Sequence, residues 1–162
     1  MRYNQLDDKD GDRVKKSEPS EPTRPAPKRS RKQKQSSSRD LALFAVEAAL
    51  DKKGLEPVLI DLTDQGSYTD CILLLSGRSD RHVQNIADGV VEAFSTHLGR
   101  KPLGAEGQTD GRWVLIDYGE VVVHVFYHPL REFYDLEGLW SDAPRVHLDV
   151  PDEARAIAGS VY

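Results

Sequence analysis

The chain has 162 residues, 38% of them hydrophobic, and a single cysteine, which suits one domain of ordinary size. Its net charge of −5 hides a split: residues 1–40 carry +5 and residues 41–162 carry −10. The acidic part is therefore suited to a basic partner and unsuited to gripping nucleic-acid phosphates, and the lone Cys71 excludes an internal disulfide.

Residues 1–38 read as a disordered basic arm. Residues 1–40 hold five hydrophobic side chains, and prolines 19, 22, 25 and 27 interrupt the arm, too little apolar surface to offset chain entropy. The run Lys28-Arg29-Ser30-Arg31-Lys32-Gln33-Lys34 is either a solvated tail or a contact to RNA phosphates. No secretory h-region precedes it, and Asp7, Asp8, Asp10 and Asp12 argue against a transit peptide. No stretch reaches the ~18 apolar residues of a membrane span, so a cytoplasmic protein without membrane contact is expected.

A domain over residues 39–143 follows. Ser38 is expected to cap a helix carrying Leu41, Phe44, Ala45 and Ala48 at helical spacing, ended by Lys52-Lys53-Gly54. Pro57–Leu62 reads as a strand. Asp70–Ser76 is apolar on both faces, as in a central strand covered on both sides. Ser79 is placed to cap a second helix with Val83, Ile86, Val90 and Phe94 inward, stopped by Gly99. Leu103–Glu106 is a short strand. Trp113–Asp117 and Val121–Tyr127 form an antiparallel hairpin, with Gly119 at the positive-φ position. A last helix spans about Leu130–Trp140, and residues 144–162 read as a loosely attached tail. The class is α/β: a mixed sheet flanked by helices.

Chemistry-bearing patterns are sparse. Ser76-Gly77-Arg78-Ser79 joins a strand to a helix N-terminus, the geometry of an anion site, but lacks the glycine-rich nucleotide signatures. No D-x-D or D-x-E lies in the apolar strands, as magnesium-dependent nucleotidyl transfer would need. Asp117 and Glu120 flank a turn, where acids are ordinarily solvated. None of the five histidines forms a metal-binding pair on a helix. His124, between valines, reads as a hydrogen-bonded core histidine, and His82 as a residue able to face a partner. No nucleophile constellation appears. These patterns imply no catalytic residue, metal or cofactor, and hence a protein that is not an enzyme. Trp113 alternates with Leu115 and Asp117 on one strand face and suits a core tryptophan and a protein contact equally.

The segment Trp113-Val114-Leu115-Ile116-Asp117-Tyr118-Gly119-Glu120-Val121-Val122-Val123-His124-Val125-Phe126 closely resembles the hallmark of the ribosomal silencing factor family, RsfS, also called iojap-related proteins. Asp61-Leu62, Tyr68-Thr69-Asp70-Cys71, Ser76-Gly77-Arg78-Ser79-Asp80-Arg81-His82-Val83, Ile86-Ala87-Asp88, Glu106-Gly107 and the Arg131-to-Trp140 block follow the family's order over residues 40–143. The resemblance implies a nucleotidyltransferase-like topology without the catalytic acids. It further implies binding to the large ribosomal subunit through its fourteenth L-series protein, so that the small subunit is sterically kept from joining and translation is repressed. It draws Trp113, Asp117, Tyr118 and Glu120 to the contact surface, with Arg81, His82 and Glu106 as outlying candidates. A homodimer through an exposed sheet edge is compatible with the sequence. The alternative is a magnesium-dependent nucleotidyltransferase or nucleotide-binding protein using Ser76-Gly77.

Overall fold

The computed structural model describes residues 31–155, with side chains from Ser37 onward. The rest of the arm and residues 156–162 lie outside the described residues. Helix α1 spans Arg31–Asp51, followed by β1 (Leu55–Asp61), β2 (Cys71–Gly77), α2 (Asp80–Leu98), β3 (Gly104–Glu106), β4 (Trp113–Asp117) and β5 (Val121–Tyr127). Two short helices, α3 (His128–Tyr134) and α4 (Leu136–Leu139), then lead to β6 (Arg145–Val146) and a 3-10 turn at Asp152–Ala154.

The six strands lie in the order β3-β4-β5-β2-β1-β6. Neighbours are antiparallel except β2 and β5, which run parallel from Cys71↔Val121 to Gly77↔Tyr127. All seven residues of β2 are buried, as its two apolar faces require. Cys71, Leu73 and Leu75 join Val114, Ile116, Val123 and Val125 beneath α1 and α2. Ile72 and Leu74 face the other way, with Ile60, Leu62, Phe126 and Ala143, against Leu136, Trp140 and Trp113. The second face is thus roofed by short helices rather than long ones, and on β4 the roof reaches Trp113 but leaves Leu115 and Asp117 half-exposed.

The punctuation of α2 follows the sequence. Ser79 accepts from the His82 N–H, and Gly99 closes the helix at φ 60 with its N–H on the Ser95 carbonyl, a left-handed position that favours glycine. The hairpin turn also forms as expected: Gly119 has φ 90, and the Tyr118 N–H donates to the Val121 carbonyl at 2.9 Å.

Four expectations are corrected. Ser38 does not cap α1, which starts seven residues earlier; it lies within the helix, and its hydroxyl donates to Asp70 Oδ2 at 2.7 Å. Beside it Arg39 pairs with Asp61 at 3.1 Å, so α1 is fastened to the strand ends by two buried carboxylates. The first strand begins at Leu55, because Glu56 adopts φ 49 and bulges the ladder between Leu55 and Val58. The single helix expected over Leu130–Trp140 breaks at Asp135, whose φ of 45 ends α3 while its carboxylate caps α4 at the Gly138 N–H. Residues 145–146, expected in a loose tail, pair with Leu59 and Ile60. They satisfy backbone groups that β1 would otherwise leave bare at the sheet edge.

Candidate functional site

The face of β4 that carries Trp113, Leu115 and Asp117 is half-exposed, while Val114 and Ile116 between them are buried under the helices. Register places Phe126, His124 and Val122 of β5 opposite these three residues, on the same face. The expected alternation is therefore present.

Trp113 is neither wholly core nor wholly surface. Its ring stacks on Phe126 at 4.9 Å and lies 4.7 Å from Tyr134. Its indole Nε1 donates to His124 Nδ1 at 3.1 Å. Tyr134 in turn meets Phe133 edge-on at 5.1 Å. At the opposite end of β4, Tyr68 lies close enough to Asp117 for the carboxylate to help burial raise its hydroxyl pKa. Trp113, Tyr134 and Phe133 thus form a contiguous aromatic stripe, with Leu115 beside Trp113 on the same face of β4 and Tyr68 toward the Asp117 end. Tyr68 is 70% exposed and Phe133 78%; it is the contiguity of Phe133, Tyr134 and Trp113, not the exposure of any one ring, that marks a contact patch. Sequence reasoning missed Tyr68, Phe133 and Tyr134. The clue was present, because each sits in a block of the family resemblance, but as helix or loop residues none has a strand parity to point it outward.

Acids rim this stripe. Asp117 accepts from the Gly119 N–H at 2.8 Å, which shapes the turn and leaves the carboxylate half-open. Glu106 is exposed at the register position opposite Leu115.

The other expected contact residues lie elsewhere. Tyr118 is 1% exposed and stacked on Phe94 at 3.9 Å and 16°. It shares the inward parity of Val114 and Ile116, so it is core, and its place on a contact surface is withdrawn. Burial pushes its hydroxyl up to about 12. Glu120 is partly exposed, but both its oxygens accept from Arg100, at 2.9 and 3.1 Å, a fork that closes the hairpin. Asp117 and Glu120 therefore turn to separate partners. Arg81 is exposed on α2, in the helix layer behind the sheet. His82 staples two elements together: its Nδ1 accepts from the Arg78 N–H at 3.0 Å, and its Nε2 lies 3.0 Å from the Lys52 carbonyl.

The strand-to-helix turn is occupied by its own side chains. The Arg78 N–H is taken by His82, the His82 N–H by Ser79, and Ser76 Oγ accepts from Arg131 at 3.0 Å. Two of the backbone donors that a phosphate would use at this turn, those of Arg78 and His82, are thus already taken. Cys71 is an inert buried thiol, pushed up to about 12 by burial and then by Asp61 and Asp70. A cavity of about 730 Å³ opens between β1, α3 and the residues after β6. Its arginines are tied to carboxylates, Arg131 and Arg145 to Glu137 and Arg155 to Asp152, and its lining includes none of Trp113, Leu115, Phe133 and Tyr134.

The family model described as "Ribosomal silencing factor during starvation" matches residues 10–160. The chain belongs to the ribosomal silencing factor family. A ribosomal silencing factor RsfS from Halalkalibacterium halodurans is 39% identical over 113 residues, covering 70% of this chain and 96% of that protein. A crystal structure of a protein from Bacillus halodurans matches with a TM-score of 0.60 at 38% identity, over 68% of this chain and 99% of that one. More distantly, the mouse "Mitochondrial assembly of ribosomal large subunit protein 1" is 30% identical over 86 residues, 51% of this chain and 37% of that protein. Family membership assigns the chain a regulatory role at the level of translation. No helix among the described residues is long and apolar enough to cross a membrane.

Proposed function

We propose that the Trp113 face docks on the large ribosomal subunit at its basic fourteenth L-series protein, and that the bound chain sterically blocks the small subunit from joining. The observation that carries this reading is the aromatic stripe of Trp113, Tyr134 and Phe133, with Tyr68 toward the Asp117 end, rimmed by Asp117 and Glu106. Aromatic anchors ringed by acids are the features by which an acidic domain recognises a basic protein. Occupying a shared surface needs no chemistry, which fits a strand-to-helix turn where His82 and Ser79 already hold two backbone donors. A patch of roughly 800 Å² per partner is sufficient for stable binding.

Trp113 is the central contact in this proposal, with Asp117 and Glu106 beside it. Arg81 and His82, on the helix side, belong at most to the margin, and Glu120 acts through its grip on Arg100. The basic arm is assigned to ribosomal RNA next to the docking site. A homodimer would form through an exposed sheet edge. The site of action is the cytoplasmic ribosome.

Titrating the labelled chain with purified large subunits, small subunits and isolated fourteenth L-series protein tests the reading. Binding to the first and third, weakening as salt rises, is expected. Equal binding to both subunits, or none to the large one, rejects it.

A further inference from the structure

His124 is a buried imidazole that the docking reading leaves without a task. It is 4% exposed in the middle of β5, and its Nε2 has no hydrogen-bond partner among the described residues. A valine or leucine at this position would avoid the cost of burying that nitrogen. What a hydrocarbon cannot supply is the acceptor at Nδ1, 3.1 Å from the Trp113 indole nitrogen. Burial alone pushes the imidazole down to about 4, so at neutral pH Nδ1 keeps its lone pair and the ring proton sits on Nε2.

The consequence falls on Trp113. Its ring has Phe126 on one side at 4.9 Å and Tyr134 at 4.7 Å. Its one polar atom is already committed inside the protein. An indole whose N–H lacked an acceptor would gain by turning that edge toward water, which would break the contact with Phe126. With the N–H held, the ring stays down on the sheet and offers a partner hydrocarbon and π-surface only.

Building on the docking reading, we propose that His124 is the positioning residue of this face: its Nδ1 fixes the Trp113 indole, so that the partner is met by the ring and not by the indole N–H. The matching group on the partner is an aliphatic side chain, or the stem and cation of a lysine or arginine laid on the ring. A carbonyl or carboxylate seeking a donor would find none there.

The test uses the full chain and purified large subunits. His124→Leu keeps the branched shape and removes the acceptor, whereas His124→Asn places Oδ1 where Nδ1 was. Affinity is read together with solvent exchange of the Trp113 indole proton by NMR, with Trp140→Phe as background to leave a single indole signal. The wild type is expected to exchange slowly. His124→Leu should exchange at the solvent-exposed rate and bind about tenfold more weakly, the equivalent of one hydrogen bond of about 1.4 kcal/mol. His124→Asn should recover most of both. Wild-type affinity for a folded His124→Leu, or equal losses in the Leu and Asn variants, overturns the proposal. If His124→Leu fails to fold, rapid indole exchange in the wild type overturns it on its own. Trp113→Ala separates the two levels: if it too binds normally, the docking reading itself has failed. If it binds weakly while His124→Leu does not, only the positioning role is lost.

Discussion

The ring of Tyr118 lies flat on that of Phe94, 3.9 Å away and 16° from parallel. One residue earlier in the chain, Asp117 points to the opposite side of the sheet, half-open to solvent. The hairpin thus divides adjacent members of one motif between two tasks: Tyr118 locks the turn to α2, and Asp117 faces outward beside the aromatic stripe. The stack contributes on the order of 1 kcal/mol beyond its area burial. The Tyr118 hydroxyl adds nothing evident, since it is buried and has no partner among the described residues.

Tyr118→Phe is therefore expected to leave stability unchanged or raise it by up to about 1 kcal/mol, because it deletes a buried hydroxyl without a bond and keeps the ring. Binding to the large subunit should not change. Urea unfolding and a subunit titration check both points. A weakened complex with an intact fold would return Tyr118 to the contact surface.

Arg131 is the principal polar tie between α3 and the sheet. Its Nη1 donates to the Glu56 carbonyl at 2.7 Å and to Ser76 Oγ at 3.0 Å, and its Nε to Glu137 at 3.0 Å. The side chain is 9% exposed. Arg131→Met keeps the stem but leaves those acceptors unmet, and should cost ~3 kcal/mol. It also releases Glu56 from the bulge it holds at φ 49. A loss below ~1 kcal/mol in urea unfolding would show that solvent satisfies these groups equally well.

Acid should weaken the fold through His124. The unfolded imidazole takes up a proton near its ordinary 6.5, whereas in the folded protein burial delays protonation to about 4. The contribution of this residue is thus complete above pH 6.5 and shrinks as the pH falls to about 4. The loss over that interval is on the order of 3 kcal/mol. His128, lowered chiefly by its own burial, acts in the same direction. Unfolding free energies at pH 7.5 and pH 5 should differ more in the wild type than in His124→Asn. Equal differences in the two proteins would contradict this account.

Trp113→Ala should have two separable effects. Half-burial against Phe126 and Tyr134 means the truncation costs ~2 kcal/mol of stability or more, and loss of the anchor costs ~2 kcal/mol of binding. Measured well below its melting temperature, the variant should be folded and still bind weakly. Full affinity in the folded variant would leave Trp113 a core residue alone.

Much of this was legible in the sequence because local chemistry and long-range packing agree there. Ser79 and Gly99 bracket α2, Gly119 turns the hairpin, and the two apolar faces of Cys71–Leu75 require a central strand. Strand parity put Trp113, Leu115 and Asp117 together; the continuation of that parity turns Tyr118 inward in the structure, where the resemblance had placed it on the contact surface. What could not be read depends on partners far along the chain. Ser38 looks like a helix cap until the Asp70 carboxylate is seen above it. Arg145 and Val146 become a strand only because β1 has a free edge. Asp135 breaks a helix through its own left-handed conformation, which its residue type permits but does not demand. The stripe and Tyr68 escaped notice for the same reason, since Tyr68, Trp113, Tyr134 and Phe133 come from three separate parts of the chain.

The central claim is that the bound chain keeps the two ribosomal subunits apart. Sedimenting purified large and small subunits under joining conditions, with increasing amounts of the protein, measures this directly. The account predicts that the joined particle declines in a saturable way, while the large subunit peak grows and carries the protein. Undiminished joining at saturating protein would contradict it.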